Sequence, residues 1–350
     1  MTNNLPLDGI KVLDFTQVML GPCATQMLAD LGADVIKIER PVYGDLSRSS
    51  IEHDQNDGDN PVYCSLNRNK RSITIAVRKP EGQAIIYEMA KTADVVVNNF
   101  RPGVMERLGL GPDVCLARNP RLVFGRMTGW GQDGPVSRTA GHDLNYIALS
   151  GALWASGEAD RAPTFPLNLL GDFGGGGMFL AFGMVTGLLK AARTGQGDVV
   201  DAAIVDGTAA LMSMIYSRRA MGLWKDERAS NALDGGVPWY GVYECADGGW
   251  ITIGSLEPQF WAVLLEKLDL TPEQMGDRTD RTLWPAMRET LAGIFMSRPR
   301  DHWVDLLQDT DAGFAPVLSP AEAPDHPQNR ARGIFSDGPV QPMPAPRFAR

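Results

Sequence analysis

Ile10-Lys11-Val12-Leu13-Asp14-Phe15, then Cys23 to Leu31 after Gly21-Pro22, then Asp34-Val35-Ile36-Lys37-Ile38-Glu39-Arg40, is the stretch whose reading decides the fold. The outer two segments are short, apolar and partly β-branched, as strands are. The middle one is built from helix formers and stops at Gly32, a residue suited to a helix C-terminus. Gly21-Pro22 is read as the break before the helix, and Pro41 as the stop after the second strand. A strand–helix–strand unit of about thirty residues builds a parallel sheet in an α/β domain. This one has no Gly-x-Gly-x-x-Gly turn, which counts against a nicotinamide or flavin enzyme.

Outward from that unit the alternation continues. Ser72 to Val77 is expected as a strand, Pro80 to about Lys91 as a helix, and Ala93 to Asn98 as a fourth strand. A short helix and a strand over Leu122 to Arg126 follow. Residues 42 to 70, with Gly, Asp and Asn dense around Asp54 to Asn60, are read as a surface excursion. Further on, Leu144 to Ala155 is helical or mixed and Met178 to Ala192 is a buried helix. Asp198 to Ala203 is a strand, and Gly207 to Leu223 is a long helix expected to be well buried. The style then changes. Val242 to Gly254 reads as a hairpin turning on Asp247-Gly248-Gly249, followed by helices over Pro258 to Leu268, Trp284 to Met296 and Arg300 to Gln308. A strand-like Ala315-Pro316-Val317-Leu318 leads into an extended, proline-rich tail. The expected division is a large α/β domain over 1–200, linker helices over 201–233, a small domain over 234–310 and a return segment over 311–350.

A formal net charge of -9 argues against a nucleic-acid partner, so a phosphate-bearing ligand would need a local basic cluster. Cys23, Cys64, Cys115 and Cys245 have no paired spacing, which fits a reducing compartment. His53, His142, His302 and His326 are too dispersed for a metal site evident from sequence. No basic region followed by an apolar run stands at the N-terminus, and the longest apolar stretch, Met178 to Leu189, is too short for a bilayer. The expectation is a cytoplasmic protein without nucleic-acid or membrane partners.

Two segments carry groups for chemistry. Gly141-His142-Asp143-Leu144-Asn145-Tyr146 and Gly171-Asp172-Phe173 supply one imidazole and two carboxylates, as a site that moves a proton from one face of a carbon to the other requires. Gly174 to Gly177 would leave backbone amides bare where a helix should begin, facing an anionic oxygen. The competing readings are an ordinary turn, an N-cap and close helix packing. Glu257, before Pro258, is either an N-terminal helix charge or a carboxylate that orients His142, and Asp143 can raise the pKa of Asp172. Arg40, Arg78 (with Lys79) and Arg101 each follow an expected strand, at the edge where open parallel sheets bind ligands, and could together hold phosphates.

These pieces resemble the family III CoA-transferases. The resemblance rests on Leu7-Asp8-Gly9-Ile10-Lys11-Val12-Leu13-Asp14, Gly21-Pro22, Leu31 to Pro41, Asn67-Arg68-Asn69-Lys70-Arg71-Ser72, Asn99-Phe100-Arg101-Pro102-Gly103 and Gly195-Gln196-Gly197. Gly141 to Tyr146, Pro166 to Phe173 and Gly254-Ser255-Leu256-Glu257-Pro258-Gln259-Phe260 are similar to the α-methylacyl-CoA racemase branch. That branch implies His142 and Asp172 as the acid/base pair, supported by Asp143 and Glu257. It implies CoA contacts from Arg40, from Ile75, Ala76, Val77 and Arg78, from Arg101, and from Gly141, Leu144, Asn145 and Tyr146. It also implies an interlocked homodimer, an acyl-CoA substrate and no cofactor beyond the coenzyme A of that substrate. Met127, Met178, Met212 and Met214 are candidates for a tolerant acyl path. In the transferase branch Asp172 would instead carry the acyl group and no histidine is expected at 142. A third possibility is a non-catalytic acyl-CoA-binding protein. Two departures stand out: the excursion over 42–66 is long for the racemases, and Arg78 replaces the family's usual lysine. A terminal piece beyond Arg350 is expected to be missing.

Overall fold

The computed structural model describes residues 5–49 and 60–348. The chain forms two compact units, one of Met1–Leu153, Phe165–Met214 and Pro344–Arg350, the other of Trp154–Thr164 and Ile215–Met343.

The first unit is built on six parallel strands: β1 (Lys11–Asp14), β2 (Asp34–Glu39), β3 (Lys70–Thr74), β4 (Val95–Asn98), β5 (Val123–Thr128) and β6 (Asp198–Ala203). Their spatial order is β3-β2-β1-β4-β5-β6, so the direction of winding reverses between β1 and β4. Successive side chains of a strand point to opposite faces, and each face has its own core. Val12, Val35, Val95, Val97, Val123 and Met127 pack with Leu28, Leu180 and Met184 of helices Leu20–Asp30 and Phe179–Thr194. Leu13, Ile38, Val96 and Phe124 pack on the other face with Ile86, Met105 and Leu110.

Several expectations change in this unit. Gly21 and Pro22 lie in the first turn of the helix from Leu20, where a missing N–H costs nothing, so they do not break the chain. The glycine run does not begin a helix either. A π-helical stretch, Leu169–Met178, starts five residues earlier and runs directly into Phe179–Thr194. Gly174 to Gly177 therefore spend their amides inside the helix. Close packing explains them: a Cβ on Gly207 would lie 1.9 Å from the Gly175 carbonyl oxygen, and one on Gly175 would lie 2.4 Å from Thr208 Oγ1. The continuous Leu169–Thr194 helix is long and apolar enough to cross a membrane, but it packs on β5 and β6 as a helix covering the sheet. Its outer face is not buried as expected, with Phe182 71% exposed. Nor is 207–223 one buried helix. It is the end of Ile204–Leu211 and then Ser213–Ala220, of which no residue is buried.

The expected excursion over 42–70 is anchored on both sides of residues 50–59, which, like His53, lie outside the described residues. Lys37 of β2, 1% exposed, bonds Asp45 at 2.8 Å and the Thr16 carbonyl at 2.9 Å. Lys70 of β3 donates to Asp14 at 3.2 Å, Thr25 at 2.8 Å, Asn67 at 2.9 Å and the Pro22 carbonyl at 2.9 Å. Arg48 pairs with Glu39 at 2.7 Å, and Tyr63 donates to the same carboxylate at 3.0 Å. Paired and fully hydrogen-bonded, these charges can sit inside.

The second unit holds the expected hairpin, β7 (Tyr240–Glu244) and β8 (Trp250–Gly254), joined by β9 (Phe314–Pro316) in an antiparallel sheet β7-β8-β9. Helices Pro258–Lys267, Trp284–Phe295 and Arg300–Leu307 supply its core with Leu264, Leu291, Phe295 and Leu307 around Ile251, Tyr243 and Trp303.

Candidate active site

The strand ends come first, because the sheet dictates them. A cleft of about 250 Å³ opens at the carboxyl edge, lined by Phe15 and Gln17 after β1, Ile38 to Arg40 at the end of β2, Ile75, Val77 and Arg78 after β3, and Phe100 after β4. This is the reversal point, where open α/β sheets leave a crevice. Of the residues expected to contact CoA, Arg40, Ile75, Val77 and Arg78 line the cleft, whereas Ala76 and Arg101 do not. Arg40 and Arg78 are exposed. The Arg40 guanidinium sits 5.5 Å from the Tyr43 ring centroid, and its Nε donates to the Gly44 carbonyl at 3.1 Å.

The loop behind the cleft is clamped. The Gln17 N–H donates to Asn99 Oδ1 at 3.0 Å, and Asn99 Nδ2 returns a bond to the Gln17 carbonyl at 2.8 Å. On the other side the Val18 N–H donates to Asp45 at 3.0 Å. These bonds hold Val18 at φ 74, a conformation a β-branched residue rarely adopts. The sequence reading missed Gln17. The signal was available: it stands three residues after β1, at the carboxyl edge of the sheet.

The His142 segment forms a second locus in the same unit. His142 is the exposed N-cap of helix Asp143–Leu149, and its N–H donates to Asn145 Oδ1 at 3.0 Å. Asp143, one residue on, turns inward and is 5% exposed. Its Oδ2 accepts from the Asp172 N–H at 2.7 Å, which ties this helix to the start of the π-helical stretch. Gly171 is required here, since a Cβ on it would come within 2.5 Å of Asp143 Oδ2. Asp143 Oδ1 is buried, and no group among the described residues donates to it.

Asp172 is likewise 5% exposed. Burial raises the pKa of its carboxyl; Asn168, donating to Oδ2 at 3.2 Å, works against this, while the Asp143 charge adds to it and His142 opposes it. The imidazole and both carboxylates are thus within electrostatic reach of one another. The expected acid/base pair, His142 and Asp172, and the supporting Asp143 are brought together. Asn168, four residues before Asp172 on the same helical turn, was missed although its spacing was legible.

Tyr146 closes the loop. Its hydroxyl donates to the Gly141 carbonyl, and its ring meets Trp130 edge-on at 4.7 Å. Burial raises its pKa, with Asp172 adding and Arg101 opposing, so Arg101 is coupled to this loop although it is absent from the cleft wall. Leu144 and Asn145 are exposed on the first turn. Met127 is core and leaves the acyl-path set, while Met178 and Met214 are exposed. Glu257 lies in the second unit, exposed, at the start of helix Pro258–Lys267. Among the described residues, no group of three or more His, Cys, Asp and Glu side chains could hold a metal.

The chain is 38% identical over 345 residues to a human protein named alpha-methylacyl-CoA racemase, an alignment covering 98% of this chain and 86% of that one. It is 32% identical over 340 residues to the acetyl-CoA:oxalate CoA-transferase of Acetobacter aceti, covering 94% and 85%. The crystal structure of a CAIB/BAIF family protein from Brucella suis superposes with a TM-score of 0.84 at 28% identity, covering 99% of this chain and 93% of that one. The model of CoA-transferase family III matches residues 7–349, and the chain belongs to that family.

Proposed function

We propose that the protein interconverts the 2R and 2S epimers of 2-methylacyl-CoA thioesters by removing and returning the α-proton through an enolate. The observation that carries this reading is the pairing of an exposed imidazole, His142, with a buried carboxyl, Asp172, whose surroundings favour its protonated form. Two relatives named alpha-methylacyl-CoA racemase, at 38% and 40% identity, support it.

One group takes the proton from one face of the α-carbon, and the other delivers a proton to the opposite face. Each turnover leaves the two groups with exchanged protonation states, restored through solvent. The oxidation state of the substrate does not change, so coenzyme A enters only as part of the substrate. The glycine run is committed to helix and packing, so the enolate oxygen is stabilised by donors other than those amides. Arg40, Arg78 and Arg101 would hold the phosphates, with Ile75, Ala76, Val77 and the loop from Gly141 to Tyr146 along the rest of CoA. Glu257 would complete the site in an interlocked homodimer.

The second reading is CoA transfer between carboxylic acids, with Asp172 attacking the thioester to form a mixed anhydride and release the CoA thiolate. Relatives named for that activity, at 32–33% identity, favour it. It gives His142 nothing to do. His142→Ala separates the two: epimerisation should collapse in both directions, and near-native epimerisation by the variant would refute the two-base scheme.

A further inference from the structure

Glu257 stands immediately before the proline that opens helix Pro258–Lys267, yet its carboxylate makes no capping bond to that helix and is exposed. The backbone leading to it is pinned instead. The Gly254 N–H donates to the Gly313 carbonyl at 2.7 Å and the Ser255 N–H to that of Trp239 at 2.9 Å. Ser255 is fully buried, and its hydroxyl donates to the Ala312 carbonyl at 2.6 Å. Residues so tightly held just before an exposed carboxylate are built to present it.

Arg278 completes the hold. Its Nη2 donates to the Leu256 carbonyl at 2.8 Å and to that of Ser255 at 3.3 Å, the two peptide groups before Glu257. The guanidinium lies 4.1 Å from the Trp239 ring centroid and 5.3 Å from that of Trp261. Trp284 Nε1 donates back to the Arg278 carbonyl at 3.0 Å. Trp239 meets Trp261 and Trp284 edge-on at 5.9 and 5.7 Å, so the rings brace one another. Arg278 is half-buried. Its Nη2 serves both carbonyls while the planar cation packs against both indoles, as a delocalised guanidinium can. Burial lowers its pKa and the nearby Glu257 charge opposes that shift, which places the carboxylate within reach of the cation.

We propose that Arg278 is a positioning residue for Glu257: packed against Trp239 and Trp261, it fixes the Ser255 and Leu256 carbonyls and thereby the backbone that presents the exposed Glu257 carboxylate. This rests on the reading that Glu257 serves epimerisation. Arg278 itself touches neither substrate nor reacting atoms.

The test is a double-mutant cycle in the full chain, assaying epimerisation of a single 2-methylacyl-CoA epimer with Arg278→Gln, Arg278→Lys, Glu257→Gln and the paired variants. Near-UV circular dichroism of the tryptophan box reports folding. Expected are kcat losses on the order of 10-fold for Arg278→Gln and for Glu257→Gln, little change in KM, and a double variant no slower than Glu257→Gln alone. Arg278→Lys keeps the cation without the stacked fork and should recover part of the rate. If the glutamine variant does not fold, the lysine variant carries the cycle, with a smaller loss that vanishes in the Glu257→Gln background. A loss at Arg278 that persists in that background, or a rise in KM at unchanged kcat, overturns the proposal while leaving Glu257 in place. Full activity of Glu257→Gln removes the reading of Glu257 itself, and the proposal with it.

Discussion

Two buried carboxylates in the same unit are pulled in opposite directions. Glu39, at the back of the strand-end cleft, suffers burial, but hydrogen bonds from Arg48, Ser72, Asp45 and Tyr63 outweigh it and bring its pKa down to about 2. Asp172, beside His142, suffers burial with one amide donor in opposition and a second carboxylate nearby, so its pKa rises. The first charge is matched by its surroundings and serves architecture. The second is left unmatched, and a carboxyl whose charged form is disfavoured takes up a proton more readily than a free one. In the proposed function the cleft is the place to bind and the His142–Asp172 locus the place to react.

That division makes kinetic predictions that fall on different constants. His142→Ala and Asp172→Asn should each lower kcat for epimerisation by about 10²–10⁴-fold with KM little changed, measured from either epimer. A comparable rise in KM would place them in binding and break the comparison. Arg78→Ala and Arg40→Ala should do the reverse, raising KM for acyl-CoA about 10-fold each at nearly constant kcat, with an effect that shrinks as salt is added. Loss of kcat without loss of affinity would move the reacting centre to the cleft.

Stability sharpens the same contrast. Gly207→Ala should cost on the order of 1–3 kcal/mol in urea titrations, because the added methyl meets the Gly175 carbonyl; a neutral result would show that the two helices can part. For Glu39 the folded pKa lies below the ordinary 4.5, so its stabilisation is present above that value and lost as pH falls toward about 2. Glu39→Gln should flatten this acid limb in pH-dependent melting. For Asp172 the sign inverts: a folded pKa above the ordinary value makes the carboxyl less favourable as pH rises through the window above 3.8. Asp172→Asn should accordingly be slightly more stable than the wild type at neutral pH while inactive. Equal stability with the wild type at every pH would deny the strain.

Much of this was legible in the sequence because it is local. The short apolar, β-branched runs of β1, β2, β4 and β5 announce a sheet covered on both faces. His142 stood out as one of four histidines, and Asp172 because a run of glycines follows close behind it. What was not legible depends on packing at long range. Glycine is a poor helix former, so Gly174 to Gly177 read as a helix start; only the approach of Gly207 shows why a helix needs them in its interior. The burial of Lys37 and Lys70 has no sign in the sequence, because nothing nearby in the chain shows that Asp45 and Asp14 meet them inside. The exposed faces of Phe179–Thr194 and Ser213–Ala220 read as buried because apolar composition does not say what covers it.

The account turns on one event, proton exchange at the α-carbon by two groups on opposite faces. Incubating the protein with a single epimer of a 2-methylacyl-CoA in deuterium oxide, without an acceptor acid, tests it most directly. The expected result is deuterium at the α-position together with the opposite epimer, and neither with His142→Ala. Retention of the α-proton by the wild-type protein, with CoA passing to a carboxylate once one is added, would contradict the account and make Asp172 a nucleophile.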